Sequence, residues 1–164
     1  KANSLKMVSG LFLEVGRAVA AEYEGRVAFN DLIIDNAAMQ MVLRPEQMDV
    51  MVTTNMFGDI LSDLAAGLIG GLGLAPGGNI GTHAAVFEAV HGSAPDIAGK
   101  GVANPAALIL AGAMMLDHVG EVVAGNRVRA AVARVIEQDQ VRTRDLGGTA
   151  TTMEFGDAVV RRIA

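Results

Sequence analysis

No cysteine occurs among the 164 residues. That removes disulfides, thiolate nucleophiles and cysteine-based zinc or iron–sulfur sites together, and nothing calls for an oxidising compartment. No apolar run reaches the ~18 uninterrupted residues that cross a bilayer; the longest, residues 102–116, is broken by Asn104, Pro105 and Gly112. A signal-peptide pattern is absent as well. Positive charge is scarce, with 13 Lys and Arg against 18 Asp and Glu and a net charge of −5. Phosphate backbones are gripped by clustered Lys and Arg, so nucleic acid is not an expected partner. Arg127, Arg129 and Arg134 read as a solvated helix face. These absences predict a protein with no membrane and no nucleic-acid partner, placed in the cytoplasm, or in the mitochondrial matrix if the source is eukaryotic.

The familiar glycine templates for phosphate are missing too. Gly71 and Gly73 fit the start of G-x-G-x-x-G, but Pro76 stands where the third glycine belongs, and the run follows a helix where the motif should follow a strand. Gly99-Lys100 could be the G-K pair of a P-loop, yet Ala94 replaces its first glycine and Gly101 its closing Ser or Thr. Any nucleotide must be held another way.

What is present is a packed chain, 51% apolar, of a length that suits one domain. Apolar residues at Leu5, Val8, Leu11, Phe12, Val15 and Val19 recur at three and four, the mark of an amphipathic helix that ends before Gly25. Residues 27–34 read as a short strand and 36–43 as a helix stopped ahead of Pro45. Residues 49–53 read as a buried strand, 56–69 as a helix, and 84–89 as another strand after a glycine-rich turn. Asn104-Pro105 predicts a helix start, with Asn at the cap and Pro in the first helical position. That helix is apolar nearly all round, so a central position is expected. Helices over 121–138 and 153–163 follow, separated by a loop at 143–149. Strands spaced by helices predict an α/β fold, a sheet flanked by helices. With no repeat, low-complexity tract or linker, residues 1–164 are expected to form a single unit. The chain opens at Lys1 without a methionine, which suggests the C-terminal half of a longer protein.

Three features carry chemistry. Asp59 and Asp63 are four apart, neighbours on one helix face, and like charges there repel by a few tenths of a kcal/mol. A divalent cation such as Mg²⁺ or Mn²⁺ would offset that repulsion; plain surface exposure explains the pair as well. Asp35, after Ile33-Ile34, is a candidate third carboxylate. The loop from His91 through Gly92, Ser93 and Ala94 to Asp96 can approach a ligand at Gly92, donate from Ser93 and backbone N–H groups, and accept a ribose hydroxyl at Asp96. An acid there would repel a 2′-phosphate, favouring NAD over NADP. Read from residues alone, the loop serves equally as a turn holding a histidine. His83 and His118 read as surface or satisfied histidines, and a terminal Lys1 as a solvated charge.

Five ordered patterns resolve these alternatives by likeness. They are K-A-N at the start, D-x-x-x-M-Q-x-V-x-R-P, T-T-N-M-F-G-D-I-L-S-D, A-P-G-G-N-I-G, and H-G-S-A-P-D-I-A-G-K-G-x-A-N-P. Together they resemble the isocitrate and 3-isopropylmalate dehydrogenase family of decarboxylating 2-hydroxyacid dehydrogenases, over essentially the whole chain. The resemblance implies small-domain helices and a strand at the start, with a large-domain part after. It implies that Asp59 and Asp63 ligate Mg²⁺ or Mn²⁺ with Asp35 of the partner subunit, in a homodimer or higher oligomer. Lys1 matches the family's catalytic lysine, also contributed across the dimer, with Asp35 nearby, and Asn3 a residue near the nicotinamide. His91, Gly92, Ser93, Ala94, Asp96 and Ile97 match the adenosine loop, and Asn104 the asparagine that contacts adenine. NADP-dependent relatives have Lys-Tyr where this chain has Asp96-Ile97, so NAD is the expected cofactor.

Phe87-Glu-Ala-Val-His91, residues 79–81 and the 143–149 loop point within the family to NAD-dependent isocitrate dehydrogenase. The expected reaction is oxidation and decarboxylation of isocitrate to 2-oxoglutarate; 3-isopropylmalate, homoisocitrate and tartrate are the alternative substrates. The family's arginine cluster, Ser/Asn pair and catalytic tyrosine have no counterpart here. The 164 residues by themselves are therefore expected to bind metal or nucleotide without turnover. The alternative function is a non-catalytic fragment or regulatory-type subunit that binds nucleotide or a full-length partner.

Overall fold

The computed structural model describes residues 1–164. Six helices and a two-stranded sheet follow in the order α1 (Val8–Glu22), α2 (Ile34–Leu43), α3 (Asn55–Leu68), β1 (Pro76–Ile80), β2 (Ala85–Ala89), α4 (Ala106–His118), α5 (Val122–Glu137) and α6 (Thr152–Ile163). The fold is α/β, with a small sheet and flanking helices. Contacts divide the chain into two compact units, Lys1–Ala65 and Ala66–Ala164. The division falls inside α3, where no change of composition could mark it.

In the first unit, α1 carries the predicted apolar stripe, but Leu5, Val8, Leu11, Phe12, Val15 and Val19 are all exposed. Periodicity identified the helix and not the burial of its face. α2 starts two residues ahead of expectation and stops at Arg44, whose extended φ of −147° meets the steric demand of Pro45.

Two expected strands are corrected. Residues 27–33 form no ladder, and the segment is held through side chains instead: Arg17 Nη2 donates to Asp31 Oδ1 at 2.8 Å, and the Phe29 ring lies against Gly16. Residues 49–53 are likewise unpaired and far from buried, with Val50 81% and Val52 79% exposed. A β-branched run favours extended backbone, but a strand also needs a neighbour to take its N–H and C=O groups. This chain supplies none to either segment.

In the second unit β1 and β2 pair antiparallel, from Pro76 opposite Ala89 to Ile80 opposite Ala85. The Gly81 N–H donates to the Ala84 carbonyl at 2.9 Å and closes the hairpin. β1 lies in what reads as a glycine turn. Gly78 sits opposite Phe87, and a side chain at Gly78 would meet the Phe87 ring and Met114 of α4 at 3.4 Å.

α4 packs on the hairpin, on α5 and on the turn at residues 72–74, so it is central as expected. Its apolar character is used unevenly, however. Ala106, Ala107, Ala111 and Ala113 are buried, whereas Leu108 is 61% exposed. The small residues let backbones approach, while Ile109 and Leu110 pack half-buried against the core. α6 closes the unit over α5, burying Phe155, Ala158 and Val159 against Ala131, Val132 and Val135. A capping box begins it. Thr151 Oγ1 accepts from the Glu154 N–H at 3.2 Å, and Glu154 Oε2 accepts from the Thr151 N–H at 2.8 Å.

Candidate functional site

The expected site residues fall in both units. Lys1 opens a turn whose carbonyl accepts from Ser4 and Leu5 N–H at 3.0 and 2.8 Å. Its Nζ donates to Asp35 Oδ2, forming an ion pair between residues 34 apart in sequence. Asp35 stands in the first turn of α2, where the helix N-terminus favours negative charge. Its other oxygen accepts from the Asn36 N–H at 2.9 Å. The Lys1 hydrogen bond first, and the Asn36 N–H second, hold the Asp35 carboxyl below its ordinary range. Asn3 is exposed close by in sequence.

Asp59 and Asp63 lie exposed on α3 at the predicted one-turn spacing. Asn55 Nδ2 donates to Asp59 Oδ2 at 3.2 Å, and neither carboxylate is paired with a cation. Two free hard-oxygen donors suit a divalent ion. The chain nevertheless assembles no cluster of three or more acidic or histidine side chains able to hold one.

In the second unit the loop from His91 to Lys100 is exposed throughout. It is shaped by its own backbone: Ala94 adopts a left-handed φ of 43°, and its carbonyl accepts from Ile97 N–H at 3.0 Å. Pro95–Ile97 forms one 3-10 turn, extended when the Lys100 N–H reaches the Ile97 carbonyl at 3.1 Å. His91 Nδ1 lies 3.0 Å from the Gly92 carbonyl. Asp96 and Ile97 thus sit on a rigid turn with open faces.

Past this loop, Thr152 bonds the Gly101 and Ala103 carbonyls at 2.8 and 2.5 Å, tying the chain to the start of α6. Asn104 comes next, only 8% exposed. It caps α4 through Oδ1, which accepts from the Ala106 N–H at 2.9 Å; Pro105 is the residue before the first helical turn, so the start lies one residue later than expected. Asn104 Nδ2 donates to Asp145 Oδ2 at 2.9 Å. The other Asp145 oxygen accepts from the fully buried Thr143 hydroxyl at 2.5 Å. A Cβ at Gly73 would lie 2.8 Å from Asp145 Oδ2 and 3.0 Å from Asn104 Cβ.

Gly73 was read only as part of a glycine template that fails, and Thr143 and Asp145 only as part of the 143–149 loop, so none of the three was expected beside Asn104. A Thr and an Asp two residues apart beside Gly147-Gly148 were the available signal, since short polar side chains in turns bond locally. Separately, Arg142, Gly148, Thr149, Glu154, Asp157 and Arg161 line a shallow recess that includes none of the expected site residues.

Residues 1–159 match the family model described as isocitrate/isopropylmalate dehydrogenase, and the chain belongs to that family. It is 61% identical, over 99% of its length and 48% of the relative's, to the isocitrate/homoisocitrate dehydrogenase of Thermus thermophilus. To the 3-isopropylmalate dehydrogenase of Archaeoglobus fulgidus it is 54% identical, over 97% of the chain and 48% of the relative. The crystal structure of isocitrate dehydrogenase from Methylococcus capsulatus superimposes with a TM-score of 0.92 at 59% identity, covering 99% of this chain and 48% of that one. The chain therefore spans about half the length of the curated relatives it matches.

Proposed function

We propose that this chain supplies the metal carboxylates, the proton-handling lysine and the adenosine site of a decarboxylating 2-hydroxyacid dehydrogenase acting on isocitrate with NAD. The observation that carries the reading is the Lys1–Asp35 pair. It brings together a lysine that, once deprotonated, would take up the proton leaving a substrate hydroxyl, and a carboxylate that holds that lysine in place. Mg²⁺ or Mn²⁺, when bound, supplies Lewis acidity that lowers the substrate hydroxyl pKa and stabilises negative charge on that oxygen through loss of CO₂, while NAD accepts the hydride.

Asp59 and Asp63 would hold the ion together with Asp35 of the partner subunit, so the working unit is a homodimer or a higher oligomer. Lys1 of the partner subunit would face the substrate hydroxyl, and Asp35 Oδ2 fixes the position of its Nζ. Asn3 faces the nicotinamide end. His91, Gly92, Ser93 and Ala94 receive the adenosine, Asp96 accepts from its ribose, and Ile97 packs beside it. The Asp96 carboxylate disfavours a 2′-phosphate, which supports NAD. Phe87-Glu-Ala-Val-His91 supports isocitrate over 3-isopropylmalate, with homoisocitrate the nearer alternative.

The test is NADH formation from isocitrate with Mn²⁺ by the purified protein. Lys1→Met is expected to lower kcat by about 10²- to 10⁴-fold, the range of a lost acid–base group. Equal rates with 3-isopropylmalate would overturn the substrate assignment. Turnover by the 164 residues on their own would overturn the reading of them as a non-catalytic fragment.

A further inference from the structure

We propose that residues 49–53 become a strand only against a second polypeptide. Their open edges and the face of Val50 and Val52 are the docking surface for an extended apolar segment of the half that the relatives carry and these 164 residues do not contain. The segment, Asp-Val-Met-Val-Thr, has the composition of a strand buried on both faces. The structure leaves it in water. Side chains alternate across an extended backbone: Met51 is 39% exposed and Thr53 half-buried, whereas Val50 and Val52 on the opposite face are 81% and 79% exposed. One face is partly covered by the first unit and the other by nothing. The backbone N–H and C=O groups of residues 49–52 make no bond within the chain.

The two deficits together select the occupant. A helix laid on Val50 and Val52 would cover the face and leave the N–H and C=O groups unpaired, whereas a strand alongside satisfies the edge. Residues 28–32 of the same unit are in a like state, with no backbone bond of their own and with Phe29 50% and Leu32 46% exposed. Edges meant for solvent are blunted by Lys, Pro or a bulge, and neither segment contains Lys or Pro. A second copy of the chain would bring only the same two segments, each in need of a neighbour itself. The relatives bring more. The Thermus thermophilus relative, 61% identical, matches 99% of this chain with 48% of its own length, so about as much sequence again lies outside the match.

The test coexpresses the full chain with a tagged polypeptide made of the unmatched half of the Thermus thermophilus relative, and follows amide hydrogen exchange by mass spectrometry. In the chain alone, residues 49–53 should exchange at the rate of an unstructured peptide while α6 is protected. In the copurified complex the same amides should slow by about 100-fold or more. Val52→Pro removes a ladder N–H and should cut recovery of the complex about tenfold. Val50→Lys puts a charge on the docking face and should do the same, whereas Val50→Ile should leave recovery unchanged. Because both side chains are exposed, these variants should keep the circular dichroism and urea midpoint of the parent chain, which separates loss of docking from loss of fold. No copurification, or a complex in which residues 49–53 still exchange freely, overturns the proposal. Protection of these amides in the chain alone overturns it too, and protection that rises with chain concentration and disappears in Val50→Lys would give the surface to a second copy.

Discussion

Gly125→Ala is expected to destabilise the second unit although alanine is the better helix former. Gly125 lies buried in α5 where it crosses α4. A Cβ built there would lie 2.9 Å from the Ala113 carbonyl oxygen and would overlap Asp117 Oδ1, both on α4. The side-chain oxygen can rotate away, but it then leaves Arg129, which donates to it at 2.9 Å. The carbonyl cannot move without α4. Replacing glycine in a helix gains about 1 kcal/mol in propensity, while overfilling a packed contact costs about 1–3 kcal/mol. With one backbone and one ion-paired contact violated, the packing cost should win, leaving a net loss of up to about 2 kcal/mol.

The same substitution at Gly112 in α4 and Gly156 in α6 provides the control, because no atom lies within 4 Å of a Cβ at either position. Those variants should gain about 0.5–1 kcal/mol from propensity alone. Urea unfolding followed by far-ultraviolet circular dichroism measures all three, with the midpoint compared at constant slope. A Gly125→Ala protein as stable as its Gly112 counterpart would refute the reasoning, since the contact would then be slack. Asp117→Ala in the Gly125→Ala background should recover part of the loss; failure to do so would place the whole cost on the Ala113 carbonyl.

Phe155→Ala should cost about 3–5 kcal/mol, because the ring is fully buried among Val132, Val135 and Val159; a loss below about 1 kcal/mol in the same urea assay would mean the core closes over the gap. Asp139 should give a pH-dependent contribution. The Arg162 hydrogen bond, and after it the neighbouring positive charges, hold its carboxyl below the ordinary value of 3.8. A depressed folded value means that stabilisation is present above the ordinary value and is lost as pH falls through the folded one. The stability difference between parent and Asp139→Asn should therefore be constant near neutrality and vanish in acid, and a difference that grows in acid would contradict the assignment.

The helices were legible because each carries its own signal. Apolar spacing found α1 and Pro45 ended α2; α6 was placed within a residue of its start, although the Thr151–Glu154 capping box that begins it was not read from the sequence. The strands were legible only in part, because a strand is a property of two segments. Residues 27–34 and 49–53 look more strand-like than residues 76–80, yet the glycine-rich segment is paired, since residues 85–89 return beside it in register. The same distinction runs through the site. Asp59 and Asp63 are a local pair, and spacing placed them. Lys1 and Asp35 are 34 residues apart, and only a family resemblance put them together in advance. Asp145 belongs to neither group, because its partner Asn104 lies 41 residues away and no short pattern links them.

The His91–Lys100 loop draws its shape from its own backbone, through the left-handed Ala94 and two successive turns. A loop that needs none of its outward side chains to keep its form is free to exchange them. Changes at Asp96 or Ile97 would then alter which nucleotide is welcome without a debt in stability, so cofactor choice could drift by single substitutions while the scaffold beneath stays fixed. Asn104, tied at both ends of its amide, has no such freedom: there a lineage would have to change several residues at once. In the proposed reading, preference for the phosphate pattern is thus the evolvable part of the site.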